Sequence, residues 1–209
     1  MFSRTLPAGF IAPCLPMKAP EPPSGELWLH EIKHDGFRVI ARKDGLKVRL
    51  YSRPGNDLTY RFPLIVESLA RLRSRSCILD GEAVCCGDDG VPRFDRIRYR
   101  RYDASVFLYA FDLIEPLEGR KARLVNIVAG ADRGIWFNDH ISDDGPTVFK
   151  HACKLGLEGI VSKHKDSRYL SGRSLHWIKS KNPNAPAVKR EAEIDWGPCE
   201  LSIRDWSQL

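Results

Sequence analysis

The amino-acid sequence predicts an α+β domain of antiparallel sheets with flanking helices, and three observations predict it. Residues 28–33, 37–42 and 46–52 are short runs rich in β-formers, set apart by Asp35-Gly36 and Asp44-Gly45, dipeptides that mark tight turns. Within the third run Leu46, Val48 and Leu50 alternate with Lys47, Arg49 and Tyr51, the period of a half-buried antiparallel strand. Residues 60–73 then change period, with Leu64, Ile65, Ser68, Leu69 and Leu72 at helical spacing.

Ahead of these runs, residues 1–26 hold six of the fourteen prolines and read as an extended, surface-hugging lead-in. Beyond them, residues 77–86 and 106–113 read as buried strands, and 116–129 as a helix with proline near its first turn. A strand follows at 135–140, then a helix at 146–155 that Gly156 stops. Residues 158–163 and 174–179 complete a strand-rich set. Periodicity is lost after Asn182. The expected division is a lead-in over 1–26, one domain over 27–182, and an irregular tail over 183–209.

Charged residues make up 29% of the chain and the hydrophobic set 43%, the balance of a soluble globular protein with a real core. Lys plus Arg number 33 against 27 Asp plus Glu, an excess that favours a polyanionic partner. Arg93, Arg96, Arg98, Arg100 and Arg101 crowd one stretch with Phe94, Tyr99 and Tyr102, and Arg71, Arg73 and Arg75 form a smaller cluster. Such stretches suit a nucleic-acid backbone, although a solvated charged connection reads the same way. The six cysteines form no C-x-x-C pair, which argues against structural zinc and suits a reducing cytoplasm. No apolar run is long enough to span a membrane, and Pro7, Pro13 and Pro16 interrupt any leader-like stretch.

The sharpest local feature is Lys33-His34-Asp35-Gly36-Phe37-Arg38, a lysine closing one apolar strand before the chain turns into the next. A lysine held there projects into a cleft, although a surface hairpin with a snorkelling lysine fits the same fragment. To act as a nucleophile the amine must lose its proton, and a reference pKa of ~10.4 leaves on the order of 0.1% neutral near pH 7.4. Burial and neighbouring cations lower that value, and Lys163, Lys179 and Lys181 are the expected cations, which would also grip phosphates.

The run at Lys33 resembles the nucleotidyl-transfer motif of the covalent nucleotidyltransferases, and five further blocks follow in that superfamily's order. They are Ser52-Arg53-Pro54-Gly55-Asn56-Asp57, the acidic strand-turn block Leu79-Asp80-Gly81-Glu82-Ala83-Val84, and the aromatic strand from Val106 to Asp112. Glu158-Gly159-Ile160-Val161-Ser162-Lys163 and Trp177-Ile178-Lys179-Ser180-Lys181-Asn182 close the series. The set is similar to the adenylation domain of ATP-dependent DNA ligases, above all to the ligase domain of bacterial end-joining ligases and to short stand-alone forms with an NPNAPAVKREAE-like tail. The first and fourth of the five blocks look less like RNA ligases or capping enzymes.

The resemblance implies an ATP-grasp-like nucleotidyltransferase fold, with the nucleotide in a cleft between the sheets. It implies that Lys33 attacks the α-phosphorus of ATP to form lysyl-AMP, which is then passed to a DNA 5′-phosphate in repair or recombination. Glu31 would lie by the adenine, Arg38 would reach the ribose and phosphates, and Arg53 would hold a phosphate through its planar fork. Glu82 would hold ribose hydroxyls or a metal, with Asp80 bracing the turn, and Glu158 would be the second metal ligand. Phe111 would stack on adenine, although an all-apolar strand also suits plain core packing. Lys179 and Lys181, two apart on one strand face, would point at the triphosphate. Magnesium or manganese would be required to neutralise the triphosphate. The implied partner is nicked or broken duplex DNA, the implied location the cytoplasm at the nucleoid.

Two departures from the family pattern stand out. Glu115 runs directly into Pro116, where about nine residues are missing relative to family members, so the strand-to-helix geometry behind Phe111 is expected to differ. About 27 residues follow Asn182, too few for the oligonucleotide-binding (OB) barrel that DNA ligases carry there. A separate end-binding or OB-domain protein would supply that part. The alternative reading is a degenerate nucleotide- or DNA-binding remnant that kept the fold without catalysis.

Overall fold

A computed structural model describes residues 7–114 and 119–193. Among the described residues ten strands form two five-stranded sheets. The first holds, in spatial order, β1 (Cys14–Lys18), β10 (Gly172–Lys181), β9 (Gly159–His164), β2 (Trp28–Lys33) and β8 (His140–Ile141). The second holds β4 (Lys47–Ser52), β3 (Phe37–Asp44), β5 (Ser76–Val84), β6 (Phe107–Leu113) and β7 (Ile135–Phe137). Five helices accompany them: α1 (Pro63–Arg71), α2 (Phe94–Arg98), α3 (Arg120–Val128), α4 (Gly145–Lys154) and α5 (Pro186–Glu193). The pairing is antiparallel as expected, except that β1 runs parallel to β10 and β7 parallel to β6.

The two Asp-Gly dipeptides do different work. Asp44-Gly45 makes the expected hairpin, with Asp44 opposite Lys47 and Gly45 at a φ of 60°. Leu46 therefore sits at the tip, 97% exposed, and the inward alternation of β4 is carried by Leu50 instead. Asp35-Gly36 makes no hairpin, because β2 and β3 belong to different sheets. Gly36 is needed there for clearance: a Cβ would lie 2.2 Å from the carbonyl oxygen of Ala83. The single strand expected over 135–140 likewise breaks into β7 and β8, one in each sheet. The chain thus crosses between the sheets at residues 34–36 and again at 138–139.

Other expectations change at their ends. The lead-in contributes β1, whose backbone closes the free edge of β10. The acidic block contains no turn: Asp80, Gly81 and Glu82 lie inside β5, with a register shift between Asp80 and Gly81. Helix α3 begins at Arg120 behind Gly119, whose φ of 82° no helix would accept. The junction after Glu115 lies in residues 115–118, outside the described residues. Short helix α2 was not anticipated. Part of the tail is ordered as α5; Ala185, just before it, and Ala187 within it are buried. Residues 194–209, with Cys199, lie outside the described residues.

The main core lies on the helix side of the second sheet. Phe62, Ile65, Leu69, Leu79, Leu108 and Leu124 are fully buried there, under α1 and α3. On that sheet's other face Ile40, Ile78 and Ile114 pack with Phe10, Ile11 and Tyr169. Helix α4 sets Val148 and Ala152 against Ile160 of the first sheet. The described cysteines are free thiols, and among the described residues no helix is long and apolar enough to cross a membrane.

Candidate active site

A cavity of about 500 Å³ opens between the sheets beside the first crossover. Its lining includes Lys33, Glu31, Lys163, Lys179 and Lys181 from the first sheet, and Arg38, Glu82 and Phe111 from the second. Arg53, exposed in the turn after β4, lines it as well. Glu158 is reached through the two lysines that bind it. All nine residues expected to contact nucleotide therefore share one cavity, and the physical reason is strand register.

In the first sheet Lys33, Gly159 and Lys181 lie in one cross-strand row, and Glu31, Val161 and Lys179 in the row two residues along. Period-two alternation puts both rows on the same face. Gly159 has no side chain between the two lysines, and its φ of 144° with a virtual Cβ 2.1 Å from the Ser180 carbonyl oxygen admits no other residue. Across that gap both amines reach one carboxylate: Lys33 Nζ lies 2.6 Å and Lys181 Nζ 3.3 Å from Glu158 Oε1. In the second sheet Arg38 faces Glu82, and Glu82 faces Tyr109.

This arrangement corrects the expected activation of Lys33. Burial pulls the amine's pKa down, but Glu158 and Glu82 pull it up, and the net direction is upward. In the free domain Lys33 is an ammonium held by Glu158, with no neighbouring cation dominating it. Glu82 is also raised, which for a carboxyl favours the neutral form: burial lifts it to about 7 against the opposing pull of Lys33 and Arg38.

Lys163 is likewise not a neighbour that lowers Lys33. Its amine is almost fully buried, held by Glu31 Oε2 at 3.0 Å, by the Phe111 carbonyl oxygen at 3.0 Å and by Asp112 at 3.5 Å. It also sits 4.0 Å from the centre of the Trp177 ring. Glu31 is closed off on its other oxygen by Lys121 at 2.7 Å, and Asp112 by Arg120 at 3.0 Å. Desolvation pushes Lys121 down, and Lys163 and Arg120 hold Asp112 low despite its burial. The Glu31 side chain thus belongs to the wall of the cavity.

Arg38 is clamped before any ligand arrives. It donates to both Asp80 oxygens, at 2.6 and 2.5 Å, and to the Cys14 carbonyl oxygen at 2.9 Å. Tyr169 donates its hydroxyl to the same aspartate at 2.6 Å and accepts from the Cys14 amide. Asp80 thus braces Arg38 rather than a turn. The guanidinium lies 4.7 Å from the Phe111 ring centre, and Phe111 alternates away from the core formed by Leu108 and Ala110. Its ring faces the cavity.

Several site residues had no signal in the motifs. Asn138 joins the two crossovers: its side chain donates to the Ile32 carbonyl oxygen at 3.2 Å and meets His34 Nε2 at 3.0 Å. His34 in turn stacks on Tyr109, with ring centres 4.0 Å apart and planes 9° apart. Lys121 could not be found from a helix whose junction departs from the family pattern. In the arginine-rich stretch Arg96 is partly buried and donates to the Cys86 carbonyl oxygen, while Arg93 and Arg100 are exposed and pair with Asp89 and Asp103. Arg98 and Arg101 remain exposed.

Two open sheets facing across a cleft, with a lysine at the crossover between them, define an α+β nucleotidyltransferase architecture. The solved ligase domain of LigD from M. tuberculosis matches it with a TM-score of 0.70 and 31% identity, covering 82% of this chain and 60% of that one. A mycobacterial DNA ligase D complexed with ATP and MES matches equally, at a TM-score of 0.70. Chlorella virus DNA ligase-adenylate, at 20% identity and a TM-score of 0.57, shares the fold. In sequence, the LigD multifunctional non-homologous end joining protein of Pseudomonas aeruginosa is 37% identical over 185 residues, 82% of this chain and 22% of that protein. A DNA ligase of Natronomonas pharaonis is 37% identical over 172 residues, 72% of this chain and 31% of its own. The family model for the ATP dependent DNA ligase domain matches residues 18–181. The chain belongs to that family, and it spans between a fifth and a third of the length of these two curated relatives.

Proposed function

We propose that this chain is a self-adenylating unit of an ATP-dependent DNA ligase, in which Lys33 accepts AMP and passes it to a DNA 5′-phosphate. The observation that carries the reading is the Lys33 amine at the crossover of a nucleotide-sized cavity, 2.6 Å from Glu158. In the first step Lys33 Nζ gives its lone pair to the α-phosphorus, the bond from that phosphorus to the bridging oxygen breaks, and pyrophosphate leaves with the electron pair. The amine must first surrender a proton. Burial favours that loss, and Glu158 opposes it for as long as its charge faces the ammonium.

Glu158 and Glu82 present hard carboxylate oxygens near Lys33, and among the described residues no group of three potential metal ligands exists. Two carboxylates completed by phosphate oxygens are the donor set magnesium or manganese prefers. Bound there, the cation would supply positive charge to the triphosphate. A Glu158 engaged in that way would no longer hold the Lys33 proton. Phe111 offers a ring for the purine, and Lys179 and Lys181 offer charge to the phosphates. The ATP complex of the mycobacterial ligase D supports ATP as the nucleotide. The excess of basic residues supports DNA as the acceptor, with partners at the break left to other proteins or domains.

Incubation with α-labelled ATP and magnesium or manganese tests the reading. A labelled protein band that Lys33→Ala abolishes, and that is discharged by nicked 5′-phosphorylated duplex, is expected. A wild-type chain that takes no label would show the degenerate remnant instead.

A further inference from the structure

The strut after the last motif reaches back to the nucleophile. The turn leading into helix α5 is rooted at Asn182, whose amide donates to the Glu158 carbonyl oxygen at 2.9 Å and whose side chain donates to the Leu157 carbonyl oxygen at 3.0 Å. Asn182 also accepts from the Asn184 amide at 3.0 Å, so the helix root is tied to the residue that holds the Lys33 amine. At the other end, Arg190 Nη2 lies 2.5 Å from Asp35 Oδ2, two positions after Lys33. The same guanidinium lies 4.8 Å from the ring centre of Phe94, which lines the cavity and packs on Phe37 across the crossover. One short helix, rising about 1.5 Å per residue, therefore spans from the Glu158 side of the Lys33–Glu158 pair to the Lys33 side.

We propose that Arg190 is a positioning residue for the Lys33–Glu158 pair, clamping the nucleophile crossover through Asp35 while Asn182 anchors Glu158. The proposal rests on Lys33 as the AMP acceptor. It adds a functional element outside residues 18–181, the segment shared with the family. A partly exposed single ion pair adds little to stability. Its effect lies in geometry, because a nucleophile displaced by an ångström loses on the order of a hundredfold in rate.

Arg190→Gln keeps a polar side chain but removes the charge and the guanidinium over Phe94, Arg190→Ala removes the side chain beyond Cβ, and Arg190→Lys restores the charge. Two readouts are taken on each full-length variant. One is the rate of labelled-AMP adduct formation at saturating ATP, with the ATP concentration for half-saturation. The other is acetic-anhydride labelling of Lys33 without nucleotide, relative to exposed Lys47, mapped by mass spectrometry. The clamp predicts that Arg190→Gln slows adduct formation about tenfold or more with half-saturation little changed. It also predicts a change in relative Lys33 labelling of about threefold or more, with partial recovery in Arg190→Lys. Rates and Lys33 labelling both within about twofold of wild type in a folded Arg190→Gln protein would overturn it. So would loss of activity accompanied by global unfolding in both neutral variants, which would make the contact structural only. A wild-type chain that forms no adduct while Lys33 labelling still responds to Arg190 would leave the clamp standing and remove the adenylation reading.

Discussion

Glu82 shows how one buried acid connects stability with chemistry. Its pKa rises from an ordinary 4.5 to about 7 because burial outweighs the attraction of Lys33 and Arg38. The folded protein therefore keeps a proton that the unfolded chain releases, and this contribution to stability falls as pH rises from about 4.5 to about 7. Glu82→Gln removes the cost of ionisation. In metal-free buffer it should stabilise the domain by up to about 3 kcal/mol above pH 7 and by little near pH 4. Thermal unfolding at several pH values checks this, and a parallel pH profile in the two proteins would contradict it. Residue types at this scale were readable without coordinates: the motifs single out Lys33, Glu82, Phe111 and Glu158, and the fold brings the first three to one cavity with Glu158 against the Lys33 amine. Their charge states were not, since the sequence contains no distance between Lys33 and Glu158. Reading Lys163 as a neighbouring cation failed for the same reason.

At the scale of elements, the site is a matter of register. Lys33, Gly159 and Lys181 align on β2, β9 and β10 because those strands pair antiparallel with these partners. Any side chain at 159 would strike the backbone of β10. Gly159→Ala should therefore cost about 3 kcal/mol or more and separate the two lysines from Glu158. Urea denaturation measures the first effect, and a loss below about 1 kcal/mol would show that the junction is looser than its geometry. Periodicity located most strands to within a few residues, since half-buried strands and amphipathic helices leave periods of two and 3.6. It missed β1, α2 and α5. In β1 the prolines masked an edge strand that needs few donors of its own. In α5 a polar helix buries the small Ala187 among its described side chains, too weak an apolar stripe to see.

Across the whole molecule, two crossovers between the sheets hold the cleft open, and Asn138 is their shared joint. It connects the Ile32 carbonyl oxygen, His34 and, through its own amide, the Ala110 carbonyl oxygen at 2.8 Å. Asn138→Ala leaves buried partners unsatisfied and should lower stability by about 2 kcal/mol while slowing AMP transfer to Lys33. An unchanged melting temperature with unchanged adduct formation would show that the sheets are held together elsewhere. From the sequence alone came the α+β class, the membership of a lysine-dependent nucleotidyl-transfer family, and the residues that gather in the cavity. These are properties of local period and of motif order, which a linear string records. Only the tertiary structure decided that Asp35-Gly36 joins two sheets, that the Lys33 amine rests on a carboxylate, and that Arg190 returns to the crossover. Those facts depend on contacts between residues far apart in the chain, whose distances and dielectric surroundings exist only once the sheets have closed on each other.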